Sequence, residues 1–392
     1  MTRLLIAGGG HSDVPLIQAA RNLGWTVATA GNRPDELGHR FSHVFLHCDY
    51  SDPQAVLAAA RQFRAEAICA CCNDFSAVSC AFVAAELQLP GHDTPETCGM
   101  IHHKDRWRQF SREAGLPGPR AVGCTDVAEV TAAVAQLGLP VIVKPVDLTG
   151  GKGIQTAHTP EAAVAAAQTA LAASRAGRIV VEEFLVGTRH GLSCMLQGQQ
   201  VVFSFADDEY YHLSPYRVSA ASSLTSCTAE TLAEVLQAVQ RTATLLHLQD
   251  GIFHLQVIRR PDGRPAILDV CRRAPGDLYV DLVRHATGVP YAEWIVKAAA
   301  GIPFSVPPVL PPQRAITRHC LMADHSGIMQ DIRLDPDVDA RIFDRMIWGQ
   351  PGTQVTDPGL QKFGIVFVDH GNVTQLRSEA PRLQQLLQCR VI

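Results

Sequence analysis

The sequence predicts an α/β protein with a doubly wound parallel-sheet domain, a larger two-lobed domain and a small C-terminal α+β domain. Strand and helix patterns alternate through about the first ninety residues, which is typical of a parallel sheet with helices on both faces. The chain has 392 residues. Because one simple hydrophobic core rarely holds that many residues, we expect several packed domains.

The N-terminal domain is predicted at residues 1–92. Its predicted elements are strands at Arg3–Ala7, Trp25–Ala30, Val44–His47 and Ala67–Cys72, and helices at Val14–Leu23, Pro53–Arg64 and Phe75–Leu87. The triplet Gly8-Gly9-Gly10 follows the first strand, as in dinucleotide-binding domains. Asp13 occupies the place of the last glycine in that pattern, so bound NAD is not expected.

A second α/β unit is predicted at residues 121–305, after a helical linker at 93–120 that holds a charged helix at 101–115. We place its small lobe at about 121–188 and its large lobe at about 189–305. Its predicted elements are helices at Asp126–Leu137, Pro160–Ala173 and Ala229–Leu246, strands at Ile179–Phe184 and Gln199–Ala206, and a hairpin at Ile252–Val270 that turns at Asp262-Gly263.

The C-terminal domain is predicted at residues 306–392. The proline-rich stretch 303–312 leads into it and is expected to be a linker. Beyond 315 the sequence alternates short apolar segments with polar ones, and Gly364–Val368 is one of the predicted strands.

Composition excludes several classes of protein. Hydrophobic residues make up 47% of the chain, charged residues 18%, and the formal net charge is −4, so neither a disordered chain nor a basic nucleic-acid-binding surface is expected. The chain has no apolar run of about 20 residues, and its first residues are expected to enter a strand rather than a signal peptide. The 12 cysteines are scattered. We expect a cytoplasmic protein with small-molecule partners, no nucleic acid and no membrane.

The most informative segment is 139–154, an apolar strand that contains Lys144 and continues into residues 149–154, here called the glycine loop. Gly150, Gly151 and Gly153 allow backbone N–H groups to surround phosphate oxygens, and the strand holds the Lys144 ammonium beside them. This pattern predicts a nucleoside triphosphate site. Taken alone, it also fits an ordinary strand and turn.

Further features occur along the chain in the order that one family uses. Lys104 precedes Lys144 and the glycine loop, while Glu182-Glu183 and the run Asp269–Arg273 follow them. In this order they resemble the ATP-grasp superfamily over about residues 1–305, and the remaining tail is similar to the small domain of its amino-acid ligase branch. The resemblance implies that a carboxylate and an amine are joined through an acylphosphate, with release of ADP and phosphate.

The resemblance implies phosphate-binding roles for four residues. Lys104 and Lys144 would neutralise the α- and β-phosphates, as point charges suited to phosphate. The glycine loop would close over the phosphates, with Lys152 nearest the γ-phosphate. Arg273 would contact the transferred phosphoryl group and the substrate carboxylate, where a planar guanidinium gives bidentate binding and stabilises charge.

The resemblance also implies the contacts to adenosine. Glu182 matches the residue that contacts the adenine amino group, and the backbone at Glu183 and Leu185 would supply the remaining contacts. The acidic residue that commonly binds ribose is replaced here by Arg189 or His190. His190 is the candidate, because histidine occurs near this position in biotin-carboxylase-like members.

The metal-binding positions differ from the family pattern. The family places a glutamate on the first hairpin strand and Glu-x-Asn on the second, whereas this chain has Gln256, Asp269 and Cys271. Since Mg²⁺ prefers hard oxygen ligands, Asp269 and Gln256 are the candidate ligands and Cys271 is a poor one. We expect ATP with Mg²⁺ or Mn²⁺, and a second metal ion is in doubt.

Two segments are candidates for substrate binding. Residues 207–217 are expected to form a polar loop, and 273–279 continue directly from Arg273. The candidate residues are Tyr210, Arg217, Arg272, Asp277 and Tyr279. Asp277 is the hypothetical ligand of a substrate amine, while Arg272 fits equally well as the ion-pair partner of Asp269 or Asp277.

The expected function is an ATP-dependent carboxylate–amine ligase with an amino acid as one substrate. A carboxylase that uses bicarbonate is an alternative, because the Gly8-Gly9-Gly10-His11 turn fits that lineage too. A nucleotide-binding protein without catalysis is another alternative, because of Gln256 and Cys271. A homodimer is compatible with the resembled family.

Overall fold

The computed structural model describes residues 2–308, 311–312 and 314–392. Its strands are β1 Arg3–Ala7, β2 Thr26–Gly31, β3 Val44–His47, β4 Ala67–Ala70, β5 Ala121–Cys124, β6 Val141–Pro145, β7 Gln155–Ala157, β8 Ile179–Glu183, β9 Thr188–Gln197, β10 Gln200–Tyr210, β11 Ala220–Ser222, β12 Gly251–Arg259, β13 Pro265–Cys271, β14 Ile316–Met322, β15 Gly327–Leu334, β16 Ile342–Ile347, β17 Gln354–Val355, β18 Lys362–Asp369 and β19 Leu387–Val391.

The helices lie between these strands. They are α1 Val14–Asn22, α2 Pro53–Phe63, α3 Asp74–Leu87, α4 Pro95–His102, α5 Lys104–Glu113, α6 Ala128–Leu137, α7 Pro160–Ala173, α8 Ala229–Leu245, α9 Tyr279–Thr287, α10 Tyr291–Ala299, α11 Pro336–Asp339, α12 Val373–Glu379 and α13 Leu383–Leu386. Short 3₁₀ segments lie at His11–Asp13, Leu37–Phe41 and Ala380–Arg382.

Strands β1 to β4 form a parallel sheet in the order β3-β2-β1-β4. A second, antiparallel sheet has the order β5-β8-β6-β7. The third sheet is antiparallel and eight-stranded, in the order β13-β12-β9-β10-β11-β14-β18-β16, and a small sheet β17-β15-β19 completes the architecture. This mixed α/β arrangement confirms the predicted fold class.

The eight-stranded sheet continues through the predicted border between the large lobe and the C-terminal domain. Residues 220–222 of β11 pair with residues 317–319 of β14, and β14 pairs with β18. The C-terminal strands therefore extend the same sheet that carries the hairpin β12–β13. The domain boundaries expected from the sequence stay a prediction. Residues 309, 310 and 313 of the predicted linker lie outside the described residues.

The charged helix predicted at 101–115 is two helices, because His103 between them has extended backbone (φ −105°, ψ 116°). The break places Lys104 at the first position of α5. Its backbone N–H donates to the carbonyl of Val146, at the end of β6, over 3.0 Å. This bond fixes the start of α5 beside the strand that carries Lys144.

Residues 207–210, predicted as loop, belong to β10. Both edges of β10 are paired in this region, since Asp208 pairs with His190 on β9 and with Ser222 on β11. Strand β9 itself was not predicted. Pairing with distant strands outweighs the low strand propensity of consecutive acidic residues. The strand geometry sends alternate side chains to opposite faces, so Asp207 and Glu209 share a face that Tyr210 does not.

One hydrophobic cluster joins the parts of the chain that surround the candidate site. It contains Leu16 of α1, Phe205 of β10, Trp294 of α10 and Phe367 of β18, each at most 2% exposed. Burial of this apolar surface holds the N-terminal sheet, the large sheet and the C-terminal strands together. Among the described residues, the helices are too short or too polar to cross a membrane.

The contact between Gly91 and α10 gives a test of this packing. Gly91 has φ +80°, and a Cβ there would overlap the carbonyl oxygen of Ala298. Gly115 has a similar φ of +63° with open space around it. We expect Gly115→Ala to cost about 1 to 2 kcal/mol through backbone strain alone. Gly91→Ala should cost a further ~1 to 3 kcal/mol through overpacking. Urea unfolding measures both, and equal losses would contradict the packing described here.

Candidate functional site

Strand β6, the glycine loop and the hairpin β12–β13 face a common cavity, here called the main cavity. Its volume is about 390 Å³, within the usual range for small-molecule sites. The end of β8, the end of β10 and the segment 273–279 complete its walls together with residues of β14 and β18. The predicted site residues that line it are Lys104, Lys144, Gly150, Gly151, Glu182, Glu183, Leu185, Arg217, Gln256, Asp269, Arg273, Asp277 and Tyr279.

Lys144 and Glu182 form a buried ion pair across neighbouring strands. The Lys144 Nζ atom lies 2.7 Å from Glu182 Oε2, and Arg108 Nε of α5 lies 2.7 Å from Oε1. Burial alone would raise the pKa of Glu182, but the two cations lower it to about 2. Burial lowers the pKa of Lys144, and Glu182 opposes that change. The group of two cations and one carboxylate keeps a net positive charge beside the cavity.

The carboxylate of Glu182 is fully occupied by this arrangement. Its side chain is 1% exposed and has a cation on each oxygen. Each carboxylate oxygen thus has a cationic partner within the protein, and the contact of Glu182 with the adenine amino group stays a prediction. The neighbouring Glu183 accepts from Arg120 Nε over 3.0 Å and from the Arg120 backbone N–H over 2.9 Å, at the edge of the cavity.

Lys104 lies between the segment that follows β6 and the hairpin. Its Nζ atom donates to the Leu148 carbonyl over 3.1 Å and lies 3.8 Å from Asp269 Oδ2. The Lys104 side chain is 8% exposed, whereas that of Asp269 is 40% exposed. An ion pair this long and this open to solvent is weak. Both groups are therefore available to a ligand.

The glycine loop is held down by the segment that follows β10. Arg217 Nε donates to the Gly150 carbonyl over 3.0 Å, and the Tyr216 hydroxyl accepts from the Thr156 backbone N–H over 2.9 Å. A Cβ at Gly151 would lie 2.6 Å from the Tyr216 carbonyl oxygen, so only glycine fits at this approach. These bonds describe a loop closed over the cavity.

Arg273 is fixed by acidic and basic neighbours from the N-terminal half of the chain. Its Nε atom donates to Asp74 Oδ1 over 2.8 Å, and His102 Nδ1 lies 3.1 Å from the same oxygen. Burial alone would raise the pKa of Asp74, but Arg273 and His102 hold it well below its usual range. Asp74 therefore stays ionised and orients the guanidinium in the cavity wall.

The hairpin offers a magnesium ion two oxygen ligands, which are too few to hold the ion without further ligands. Asp269 faces the cavity, and Gln256 pairs with it across the hairpin. Burial raises the pKa of the Cys271 thiol to about 11, and a soft sulfur is a poor ligand for Mg²⁺. Among the described residues, no group of three or more His, Cys, Asp and Glu side chains can hold a metal ion. A bound Mg²⁺ therefore needs phosphate oxygens as well.

The part of the chain that carries Lys104, Lys144 and the glycine loop matches a known domain. Residues 103–215 match the family model described as phosphoribosylglycinamide synthetase, ATP-grasp (A) domain. The match includes Lys104, Lys144, the glycine loop and Glu182. The chain contains an ATP-grasp domain.

Relatives and solved structures agree with this assignment. Formate-dependent phosphoribosylglycinamide formyltransferase from Burkholderia cenocepacia is 28% identical over 187 residues, which cover 47% of this chain and 46% of that protein. The chain thus matches about half the length of this relative. L-amino acid ligase from Bacillus licheniformis superposes with a TM-score of 0.80 at 17% identity, covering 100% of this chain and 99% of the other.

A carboxylase structure shows the same fold. The biotin carboxylase domain of 2-oxoglutarate carboxylase from Hydrogenobacter thermophilus, determined as a dimer with MgADP and bicarbonate, superposes with a TM-score of 0.77 at 16% identity. The alignment covers 99% of this chain and 90% of that one. The whole chain therefore has the ATP-grasp fold, and the predicted resemblance is confirmed.

Three candidate residues are not brought to the main cavity. His190 is 2% exposed and contacts Asp208 Oδ1 at 2.8 Å, because the strand direction turns its ring into the core. Arg272 pairs with Asp93 over 2.8 Å rather than with the predicted carboxylates. Tyr210 contacts the Ser222 hydroxyl over 3.2 Å and faces a different cavity.

Two residues of the glycine loop do not line the cavity either. Lys152 is exposed at the outer side of the loop. Gly153 packs against Pro145, since a Cβ at this position would lie 2.8 Å from Pro145 Cγ. Gly153 therefore permits close packing of the loop, and the proposed contact of Lys152 with the γ-phosphate would require the loop to move.

Asp277 lies in the cavity wall, but its carboxylate already has partners. Lys362 Nζ of β18 makes a short ion pair with Oδ1, and Arg318 Nη1 of β14 lies 3.7 Å from Oδ2. Burial alone would raise the pKa of Asp277, and Lys362 holds it well below its usual range. Because Lys362 takes the place of a substrate ammonium, the hypothesis that Asp277 binds the amine loses its support.

Several site residues had no role in the sequence prediction. They are Arg108, Asp74, Glu209, Arg318 and Lys362. A four-residue spacing from Lys104 places Arg108 on the same face of α5, and this signal was available. Glu209 follows Asp207 at strand spacing, but the segment was interpreted as a loop. The sequence gives no comparable signal for the ion pairs of Asp74 and Lys362, whose partners are distant in the chain.

The buried group around Glu182 predicts an uneven response of two adjacent glutamates. Glu182→Gln leaves Lys144 and Arg108 without a buried counter-charge and should cost about 3 to 5 kcal/mol of unfolding free energy. Glu183→Gln is the matched control and should cost at most about 1 kcal/mol, because its partner Arg120 is 61% exposed. Equal costs in guanidinium unfolding would refute the assignment.

The same pair predicts a difference in acid sensitivity. The pKa of Glu182 is lowered from 4.5 to about 2 on folding, so its stabilisation is present above pH 4.5 and is lost as the pH falls towards 2. The Glu182→Gln variant lacks this contribution. Its unfolding free energy should therefore decrease less between these two pH values than that of the unmodified protein.

Proposed function

We propose that the protein is an ATP-dependent carboxylate–amine ligase that forms an amide or peptide-like bond and releases ADP and phosphate. The observation that carries this proposal is the main cavity, where Lys104 and Lys144 face Arg273 and Asp269. One side thus offers cations for a polyphosphate, and the other offers an oriented guanidinium and a carboxylate for a metal. The ATP-grasp domain and fold support the same reaction class.

In the proposed reaction, the substrate carboxylate attacks the γ-phosphorus of ATP, and ADP leaves. The neutral amine then attacks the carbonyl carbon of the acylphosphate, phosphate leaves with the bonding electron pair, and the extra proton of the nitrogen passes to the departing phosphate or to water. Arg273, held by Asp74, stabilises the charge on the transferred phosphoryl group. The closed glycine loop excludes water, which protects the acylphosphate from hydrolysis.

A magnesium ion, held by Asp269 with the carbonyl of Gln256, would neutralise phosphate charge during transfer. The fit to one metal ion is better than the fit to two, since Cys271 does not ligate. A homodimer and a cytoplasmic location belong to the same proposal. The twelve cysteines are free thiols, which supports a reducing compartment.

A bicarbonate-using carboxylase is the second candidate. It is supported by the likeness to the biotin carboxylase domain and by the Gly8-Gly9-Gly10-His11 turn, where the His11 ring stacks on Trp348 with centroids 4.3 Å apart. Phosphate release that requires bicarbonate would favour this candidate, and release that requires an amino acid would favour the ligase.

Phosphate release from ATP tests the function. We screen amino acids and small carboxylic acids, alone and in pairs, and add hydroxylamine to trap any acylphosphate as a hydroxamate. Arg273→Ala should lower the rate by about 10² to 10³, because it removes a group that stabilises transition-state charge. Arg264→Ala is the control, since this arginine is 73% exposed at the hairpin turn. An active Arg273→Ala variant would refute the site assignment.

The metal dependence tests the hairpin. Asp269→Asn should raise the Mg²⁺ concentration for half-maximal activity by about tenfold or more, because a carboxylate ligand is lost. Cys271→Ser, on the same strand, should leave the Mg²⁺ requirement unchanged. Titrations with Mg²⁺ and Mn²⁺ measure both variants, and a change in Cys271→Ser alone would contradict this ligand set.

A further inference from the structure

Arg189 stacks on the Tyr211 ring, 4.2 Å from its centroid, and the other cations that line the main cavity have acidic partners within the protein. These pairs are Lys144 with Glu182, Arg273 with Asp74, Lys362 and Arg318 with Asp277, Lys104 with Asp269 at 3.8 Å, and Arg217 with Asp357 at 3.2 Å. Positive charge in the cavity is therefore largely compensated before any ligand binds. Two carboxylates of the site have no such partner in the part of the chain that the structure describes.

Asp207 and Glu209 differ from the other acids of the site. Among the described residues, neither has a Lys, Arg or His nitrogen within ion-pair distance. Glu209 accepts from neutral groups, namely Gln256 Nε2 at 3.0 and 3.1 Å and the Tyr211 hydroxyl at 2.6 Å. Asp207 accepts from the Tyr279 hydroxyl, and its other oxygen, Oδ1, is buried without a hydrogen-bond partner.

The backbone explains how these side chains meet. Asp207 and Glu209 are two positions apart on β10 and point to the same face. Between β10 and the hairpin lies Gly191 of β9, which pairs with Asp207 on one side and with Gln256 on the other. A Cβ at Gly191 would overlap the Asp207 carboxylate. The glycine therefore makes room for acidic side chains beside Gln256.

Among the described residues, the negative charge of Asp207 and Glu209 is not balanced by an ion pair. Burial raises the pKa of Glu209, and burial together with repulsion from Glu209 raises the pKa of Asp207 well above its usual range, while Arg318 acts on both in the opposite direction. Two carboxylates on the same face of β10, without an ion-pair partner among the residues that the structure describes, favour the binding of an external cation, which would offset their repulsion.

We propose that Glu209, supported by Asp207, binds the ammonium group of the amine substrate. This inference rests on the proposed ligase function and deepens it. The ligand class is a primary amine that is protonated at neutral pH, such as the α-amino group of an amino acid. Gln256 links Glu209 to the hairpin position opposite Asp269, so the bound nitrogen lies next to the phosphate end of the cavity.

The position of Glu209 also gives the amine a route to the site that is separate from the glycine loop. Glu209, Tyr211 and Met322 line both the main cavity and a second cavity of about 940 Å³. The second cavity is bounded by C-terminal residues such as Gln384 and Arg390 and by none of the glycine loop. An amine entering there reaches Glu209 while the loop covers the nucleotide.

The test separates acylphosphate formation from capture of the amine. Hydroxylamine is uncharged at mildly alkaline pH and does not need an ammonium site, so hydroxamate formation reports the first half-reaction alone. Glu209→Gln should raise the KM for the amine by about tenfold or more, since a hydrogen bond to a charged group is lost. Hydroxamate formation and the KM for ATP should stay within about twofold of the unmodified protein.

Asp207→Asn is the second variant and should also raise the amine KM, with a smaller effect because Asp207 stands behind Glu209. Glu86→Gln, on the exposed side of α3, is the control. Circular dichroism establishes that each variant is folded, and either variant of the pair suffices if the other does not fold.

The outcomes are distinguishable. If the unmodified protein forms no hydroxamate with any acid, the proposed function fails. If it does, but Glu209→Gln leaves the amine KM unchanged, only this inference is overturned. A variant that instead raises the Mg²⁺ requirement, with an unchanged amine KM, would assign the pair to a metal ion and would overturn the inference as well.

Discussion

The site depends on the buried group formed by Lys144, Glu182 and Arg108. Burying charges is costly unless each finds a partner, and here one carboxylate serves two cations. Arg108 also donates to the carbonyls of Ile267, over 3.2 Å, and Leu268. The group therefore ties α5, the small antiparallel sheet and the hairpin together. Because these elements form three walls of the main cavity, the same interactions that satisfy the buried charges set the cavity's shape.

The remaining ion pairs differ in how easily a ligand can replace them. Arg273 and Asp74 are both largely buried and lie 2.8 Å apart, so this pair orients the guanidinium rather than yielding to substrate. Lys104 and Asp269 lie 3.8 Å apart with the carboxylate half in solvent. In the proposed function, metal-bound ATP would replace this weak pair with a contact between Lys104 and phosphate and another between Asp269 and the metal. A long ion pair thus keeps both groups near their ligands without tying them together.

The sequence predicted what depends on local pattern. The parallel sheet, the hairpin and the strand with Lys144 follow from periodicity and turn residues. The ion-pair partners could not be predicted from local pattern. Arg273 and Asp74, for example, are 199 positions apart in the chain, and their contact depends on how separate elements pack. The positions of His190 and Tyr210 were missed for a different reason. His190 was a candidate through the family resemblance and Tyr210 through a segment expected to be a loop, and neither inference contains the strand register that decides which face a side chain takes.

Gln256 connects the altered hairpin with the acidic residues Asp207 and Glu209 on β10, because its amide donates to Glu209. A glutamate at this position, as the family pattern has it, would lie next to Glu209 and opposite Asp269, and three adjacent carboxylates favour a divalent metal ion. The amide instead donates to Glu209 and adds no charge. It therefore separates the carboxylate that suits a metal, Asp269, from the carboxylates that suit an ammonium, Asp207 and Glu209. On this argument the replacement of a charged metal ligand by a neutral one at position 256 is what would allow the neighbouring strand to bind an amine.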